Sequence, residues 1–149
     1  MSDIFRNREG YFDPTAGRAM SRIEREEFEQ AENRRLQDLK HRTKVYVVSK
    51  YRGNVEANVW MATRYCKYVI SQGMMPVASH LLYPQFLDDN DPLQRDMGCQ
   101  FGFSLLALCD EVWVFNEKRE LSDGMRLEIK EARLLGKPVK YNDIRELKL

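Results

Sequence analysis

The chain has 149 residues, 43% of them hydrophobic, which suits one globular domain with a single core. Its 24 Lys and Arg nearly balance 23 Asp and Glu, so no overall charge attracts nucleic acid or an anionic membrane surface. The N-terminus has no apolar signal segment and no apolar run is long enough to span a membrane, so we expect a cytoplasmic protein that binds neither.

The N-terminal part differs from the rest of the chain. Residues 7–15 contain Gly and Pro and predict an irregular arm, with Thr15 as a helix cap. Residues 18–42 are dense in Arg and Glu with sparse apolar positions, which predicts a solvated helix. We therefore assign residues 1–43 to a charged arm and helix, and residues 44–149 to a compact domain.

The first half of the compact domain predicts a strand, a loop, a helix and a second strand. Residues 45–48 form a β-branched run typical of a buried strand, and the polar loop 49–53 follows it. Asn54 is a suitable cap for a helix that ends at Gly73. Residues 75–78 predict the second strand.

The second half continues the alternation. Residues 92–109 predict a helix, residues 112–115 a strand, and residues 138–141 a strand that follows another helix. The first of these helices is amphipathic, with Met97, Phe101, Leu105 and Leu108 on one stripe, and Gly98 and Gly102 would permit close backbone approach. The fold class is therefore α/β: a Rossmann-like or flavodoxin-like three-layer sandwich with a parallel sheet of four or five strands and an N-terminal helical arm. Such sheets bind ligands at the carboxyl ends of their strands.

The loop after the first strand is a candidate ligand-binding segment. It offers a hydroxyl, two cations, a phenol and a flexible glycine, in the order Ser49, Lys50, Tyr51, Arg52 and Gly53. It is either a cradle for phosphate or ribose or an ordinary strand-to-helix connection. The two cations favour a phosphorylated ligand.

His80 directly follows the second strand. Its imidazole suits a proton donor or a ligand contact, and a structural histidine is the alternative. No second His or Cys lies at ligand spacing, so we expect no metal site. Cys66, Cys99 and Cys109 are an odd number without C-x-x-C spacing, which predicts reduced, packed thiols.

Three aspartates form an acidic cluster in the loop before residue 92. Asp91 precedes a proline and is expected to cap the next helix. Two roles are possible for Asp88 and Asp89. They either stabilise the turn before this helix or accept hydrogen bonds from ribose hydroxyls or the exocyclic amine of a base. Asp110 begins the third strand, at the opposite end from a ligand site, and is expected to anchor a turn.

The run 122–132 follows the third strand and predicts a turn leading into a helix. Ser122 or Asp123 as cap puts Glu128 in the first turns, facing the same cleft mouth as Gly53 and His80. A carboxylate there is either a nucleophile, a partner for sugar hydroxyls, or a residue that complements the helix dipole.

Several short motifs in this order resemble the nucleoside 2-deoxyribosyltransferase-like proteins, which include small bacterial and phage proteins of uncharacterised function. The resemblance covers residues 44–142. Its motifs are Val45-Tyr46-Val47-Val48-Ser49, Tyr51-Arg52-Gly53, Asn58, Ala62, Pro76-Val77-Ala78-Ser79-His80-Leu81, Phe86-Leu87-Asp88-Asp89, Cys109-Asp110-Glu111-Val112-Trp113-Val114-Phe115, and Ser122-x-Gly124-Met125-x-x-Glu128-Ile129-x-x-Ala132.

The resemblance implies roles for individual residues. Glu128 would attack the anomeric carbon, Gly124 and Met125 would bring backbone N–H groups to the sugar or phosphate, and the loop 49–53 would line the pocket. The family's usual Gly-Pro in that loop is replaced here by Ser49-Lys50. The aspartate that assists the leaving base has no clear counterpart, and Asp88 and Asp89 are the candidates.

Two functions remain as hypotheses. In the first, the protein cleaves an N-glycosidic bond or transfers deoxyribose, with Glu128 as nucleophile and His80 or Asp89 assisting the base. In the alternative it binds a nucleotide-derived ligand without turnover, as a sensor or sequestering protein encoded by a phage or mobile element. A weaker third interpretation is an assembly domain acting through the N-terminal arm. We expect no cofactor. The resemblance implies a homo-oligomer, with the N-terminal helix as its expected contact.

Overall fold

The computed structural model describes residues 21–149. Helix α1 (Arg22–His41) begins after Ser21, whose hydroxyl accepts a hydrogen bond from the N–H of Glu24. The Glu24 carboxylate in turn accepts from the N–H of Ser21, which completes a capping box. No residue of α1 is buried, in line with its mixed charges. The predicted arm 7–15 and its cap Thr15 lie outside the described residues.

The chain divides after Arg42 into two units, and residues 43–149 form the α/β unit. Its elements are β1 (Lys44–Val48), α2 (Val55–Ser71), β2 (Met75–Val77), α3 (Pro92–Leu108), β3 (Glu111–Asn116), α4 (Asp123–Leu134) and β4 (Val139–Asp143), with short 3-10 turns at Ser79–Leu81 and Tyr83–Gln85. The treatment of residues 1–43 as a separate arm stays a prediction. Within residues 21–149, no helix is long and apolar enough to cross a membrane.

Side-chain caps fix where the helices of the α/β unit begin. Asn54 accepts from the N–H of Ala57 at the start of α2. Asp91 accepts from two backbone N–H groups at the start of α3, and Ser122 accepts from the N–H of Met125 at the start of α4. All three caps agree with the sequence prediction, because capping depends on residues only two or three positions apart.

The four strands form one parallel sheet in the order β2-β1-β3-β4. The predicted α/β class and parallel sheet are therefore confirmed. The strand order reverses between β1 and β3, which is the place where open parallel sheets form a ligand cleft. At the amino ends of the strands, opposite the cleft, Asp110 accepts a 2.7 Å hydrogen bond from the N–H of Lys44 and anchors the start of β1.

Apolar side chains cover both faces of the sheet. One core joins the sheet to α3 and α4 through Tyr46, Val48, Leu106, Val112, Val114 and Ile129. The other joins it to α2 through Val45, Val47, Tyr65, Val69, Trp113 and Phe115. Alternate residues of β1 and β3 thus point to opposite cores, which explains why both strands are apolar throughout.

The apolar stripe predicted for α3 is mostly exposed. Met97 and Phe101 are 45% and 41% exposed, and Leu108 is 70% exposed, while only Leu105 of the four packs against a core. The buried residues of this helix are Gly102 and Leu106. The glycine side faces inward, where an ideal Cβ at Gly102 would lie 3.4 Å from the hydroxyl oxygens of both Tyr46 and Ser79, at the near limit of ordinary van der Waals contact.

Candidate active site

A cleft of about 490 Å³ opens at the carboxyl edge of the sheet. That volume lies in the range of small-molecule sites. The sequence-predicted residues that line it are Ser49, Lys50, Tyr51, Arg52, Gly53, His80, Asp89, Ser122, Gly124, Met125 and Glu128. The structure therefore brings together nearly all the predicted site residues.

The loop between β1 and α2 is held in place by Asn58. Its side-chain amide donates to the carbonyl oxygens of Tyr51 at 2.9 Å and Arg52 at 3.0 Å. Gly53 closes the loop with φ +98°, a conformation that residues with a Cβ rarely adopt. One wall of the cleft is thereby fixed before any ligand arrives.

Glu128 lies on the floor of the cleft and is only 7% exposed. Its Oε1 accepts a 2.7 Å hydrogen bond from the hydroxyl of Tyr46, whereas Oε2 is buried with no hydrogen-bond partner among the described residues. Burial raises the pKa of this carboxyl to about 7, against the opposing effect of the Tyr46 hydrogen bond. A buried carboxyl group with a raised pKa at a cleft marks a candidate functional group.

Tyr46 connects Glu128 to the end of β2. Its hydroxyl lies 2.8 Å from the Oγ of Ser79, and both side chains are buried. Burial, with a further contribution from the charge of Glu128, raises the pKa of Tyr46 well above its ordinary value. The phenol therefore stays protonated and acts as a hydrogen-bond donor.

His80 lies beside this group. Its Nε2 is 3.8 Å from Oε1 of Glu128, and its ring stacks on Tyr51 with centroids 5.0 Å apart and planes 12° apart. Burial lowers the pKa of His80, although the charge of Asp89 opposes this. Near neutral pH the imidazole is therefore uncharged, and its contact with Glu128 is not an ion pair.

The acidic loop separates into three different roles. Asp89 lines the cleft, and its Oδ2 lies 3.4 Å from Nε of Arg52. Asp91 caps α3, as predicted. Asp88 does not line the cleft, because its Oδ1 accepts the N–H of Asn90 in a tight turn. Its predicted place in the site is corrected accordingly.

The start of α4 also differs in one respect from the expectation. The N–H of Met125, which the resemblance directs to a ligand, donates to Oγ of Ser122 at 3.3 Å. Met125 is 2% exposed and belongs to the core. The resemblance assigned the backbone N–H groups of Gly124 and Met125 to a ligand, and only that of Gly124 is not used in this cap.

Several cleft residues were not identified from the sequence. Ser79 follows the second strand and lines the cleft, and the α3 face adds Arg95, Gly98, Cys99, Gly102 and Phe103. Tyr46 does not line the cleft but binds Glu128, which does. Cys99 is exposed, which corrects its predicted packing, whereas Cys109 is buried and Cys66 half-buried. A phenol within a run of valines was the only available signal for Tyr46.

Comparisons with known proteins give a family and a fold. A family model described as "Domain of unknown function (DUF7768)" matches residues 43–142, which include the whole cleft. No curated protein sequence matches the chain.

Among solved structures, the chain is similar to the 2-deoxyribosyltransferase of the psychrotolerant bacterium Bacillus psychrosaccharolyticus, described as a biocatalyst for nucleoside synthesis. The TM-score is 0.58 at 12% identity, over 72% of this chain and 77% of that one. At this identity the similarity supports a shared fold alone.

Proposed function

This chain belongs to the family described as Domain of unknown function (DUF7768), and we propose that its cleft processes a nucleoside or nucleotide by cleaving the N-glycosidic bond. Glu128 is the proposed nucleophile. The observation that carries the proposal is the Glu128 carboxylate itself, buried at the cleft with one oxygen fixed by Tyr46 and the other without a partner.

The proposed reaction has two displacements. A carboxylate oxygen of Glu128 bonds to C1′ as the C1′–N bond breaks, and the electron pair leaves with the base, which takes up a proton. Water or a second base then bonds to C1′ through its nucleophilic atom, loses a proton, and releases the Glu128 carboxylate. Water as acceptor gives hydrolysis, and a base gives deoxyribosyl transfer.

The leaving base needs a hydrogen-bonding partner, and His80 and Asp89 are the proposed ones. The neutral imidazole of His80 can donate or accept through its ring nitrogens. Asp89 also lines the cleft, but its carboxylate already pairs with Arg52 at 3.4 Å. His80 is therefore the stronger of the two proposals.

The proposed ligand carries a phosphate. Two cations line the cleft, Lys50 from the β1–α2 loop and Arg95 from α3. Neither forms a salt bridge with another residue of 21–149. Arg52, the cation singled out with Lys50 from the sequence, is instead paired with Asp89. The unpaired cations favour an anionic group at the cleft mouth, which a bare nucleoside does not supply.

The alternative function is binding without turnover. One observation favours it: of the cleft carboxylates other than Glu128, Asp89 is paired with Arg52 and Asp123 is the first residue of α4. A carboxylate that is paired with a cation is a poor proton donor to a leaving base. Such a cleft suits a sensor or a sequestering protein for a nucleotide-derived ligand.

We also propose a homo-oligomer and a cytoplasmic location. Leu93, Met97, Phe101 and Leu108 lie on one side of α3 and are 80%, 45%, 41% and 70% exposed. An apolar stripe of this kind fits against its own copy across a two-fold axis. We therefore propose α3 as a contact of the oligomer, besides the N-terminal helix expected from the sequence. The three free thiols suit a reducing compartment.

The decisive experiment compares wild type with Glu128→Gln and with Glu131→Gln, a control on the same helix that does not line the cleft. Each protein is incubated with ribonucleosides, 2′-deoxynucleosides and their 5′-monophosphates, and released base and thermal shift are measured. We expect base release by wild type and Glu131→Gln, and only thermal stabilisation for Glu128→Gln. If a ligand stabilises the wild type and no base is released, the enzyme hypothesis is rejected and binding without turnover is supported. No response to any compound would overturn both.

A further inference from the structure

Ser79 is the third member of a buried chain of hydroxyl and carboxyl groups. It is the first residue of the 3-10 turn that follows β2, and it is 6% exposed. Its Oγ lies 2.8 Å from the hydroxyl oxygen of Tyr46, which lies 2.7 Å from Oε1 of Glu128. The three residues come from β1, the end of β2 and α4.

The hydrogens in this chain can be counted. An ionised carboxylate only accepts, so the single proton of the Tyr46 hydroxyl is donated to Glu128. The Tyr46 oxygen can then interact with Ser79 only as an acceptor, and the Ser79 hydroxyl must be the donor. When Glu128 is ionised, the direction from Ser79 to Tyr46 to Glu128 is therefore fixed.

Gly102 makes room for the first link of the chain. An ideal Cβ at this position would lie 3.4 Å from Oγ of Ser79 and 3.4 Å from the Tyr46 hydroxyl oxygen. A glycine inside a helix is less favourable than an alanine. Helix α3 approaches this hydroxyl pair closely at Gly102.

We propose that Ser79 is a positioning residue whose hydroxyl donates to Tyr46 and thereby directs the Tyr46 proton to Oε1 of Glu128, which fixes the orientation of this carboxylate. A hydrogen bond accepted by the Tyr46 oxygen polarises its O–H bond and strengthens the bond that it donates. Ser79 thus acts on Glu128 through Tyr46, without touching the ligand. The inference rests on the proposed role of Glu128 as the reacting carboxylate.

The test titrates the Glu128 carboxyl carbon by NMR in the free, full-length protein, with Glu128→Gln identifying its resonance. We expect Ser79→Ala to raise the pKa of Glu128 by about half a unit, because the ionised carboxylate loses part of its stabilisation. Ser79→Thr keeps the hydroxyl and is expected to titrate like wild type. Tyr46→Phe should raise the same pKa at least as far, and adding Ser79→Ala to it should change nothing more.

These measurements separate positioning from packing. A folded Ser79→Ala protein with an unchanged Glu128 titration would overturn the proposal, even if its melting temperature fell. An equal rise in the Tyr46→Phe background would also overturn it, since Ser79 would then act without Tyr46. The titration needs no substrate, so an absence of base release by wild type would count against the proposed function and not against this chain of hydrogen bonds.

Discussion

The hydroxyl of Tyr46 donates a 2.7 Å hydrogen bond to Oε1 of Glu128, across 82 positions of sequence. It joins the first strand of the sheet to the helix that follows the third. Both residues are buried, and Glu128 lines the cleft. Because one carboxylate oxygen is held in this way, the bond fixes the orientation of the other.

Replacing Tyr46 by Phe removes this bond with little change in volume. A hydrogen bond to a charged group contributes about 1.5–3 kcal/mol, so we expect base release to slow by about 10- to 100-fold. Tyr65→Phe is the matched control, because Tyr65 is a buried phenol that stacks on Phe115 in the other core. Rates are measured by chromatography of the released base. If Tyr46→Phe and Tyr65→Phe release base at equal rates, the Tyr46 hydroxyl has no role in the reaction.

Glu128 is expected to make the fold less stable at high pH. Its pKa is 4.5 in an ordinary environment and about 7 in the native protein, so the native state holds the proton more tightly than the unfolded state. The resulting stabilisation is complete below pH 4.5 and is lost as the pH rises through 7, a change of about 3 kcal/mol.

Glu128→Gln resembles the protonated side chain and lacks this loss. We therefore expect its unfolding free energy to exceed that of wild type by about 3 kcal/mol more at pH 8.5 than at pH 4, as measured by denaturant titration. Glu131→Gln is the control and should follow wild type at both values. If the difference in unfolding free energy between wild type and Glu128→Gln is the same at both pH values, the pKa of Glu128 is not raised.

The stereochemistry of the product distinguishes two roles of Glu128. A carboxylate that bonds to C1′ requires two displacements, so the anomeric configuration is retained. A carboxylate that only activates water gives one displacement and inversion. We expect retention, detected by NMR of the first sugar product in the presence of methanol as acceptor. Inversion would make Glu128 a general base.

The helix starts could be predicted because their causes are local. Asn54, Asp91 and Ser122 each bond to backbone N–H groups within three residues, so composition and spacing suffice. Glu128 was identifiable for the same reason, since its position follows from the cap at Ser122. The apolar runs of β1 and β3 likewise predict a sheet that is covered on both faces.

What the sequence did not reveal depends on long-range packing. Helix α3 has an apolar side and a glycine side. The sequence indicated a close approach at Gly102, but not that this side and not the apolar stripe faces the hydroxyls of Tyr46 and Ser79. Periodicity alone favours the apolar side. Asp88 and Asp89 are adjacent, and only the geometry of the turn directs the second into the cleft and the first to the N–H of Asn90.

The unpaired cations predict a preference for phosphorylated ligands. Lys50→Ala and Arg95→Ala should each weaken binding of a nucleoside 5′-monophosphate by about 10-fold, because a charge-assisted contact is lost, while the matching nucleoside is affected little. Calorimetry at low and high salt measures both ligands. Lys67→Ala on α2, outside the cleft, is the control. Equal losses for nucleoside and nucleotide would place the phosphate elsewhere.

The exposed stripe of α3 predicts that the protein self-associates through this helix. A charge introduced at Leu93 or Met97 would have to be buried in such a contact without a partner, so Leu93→Glu and Met97→Glu should shift the oligomer towards monomer. Leu134→Glu is the matched control, since Leu134 is 71% exposed but lies on α4. Light scattering after size exclusion gives the mass of each protein. A monomeric wild type would overturn the proposed oligomer, and an oligomer unaffected by both α3 substitutions would exclude this stripe as its contact.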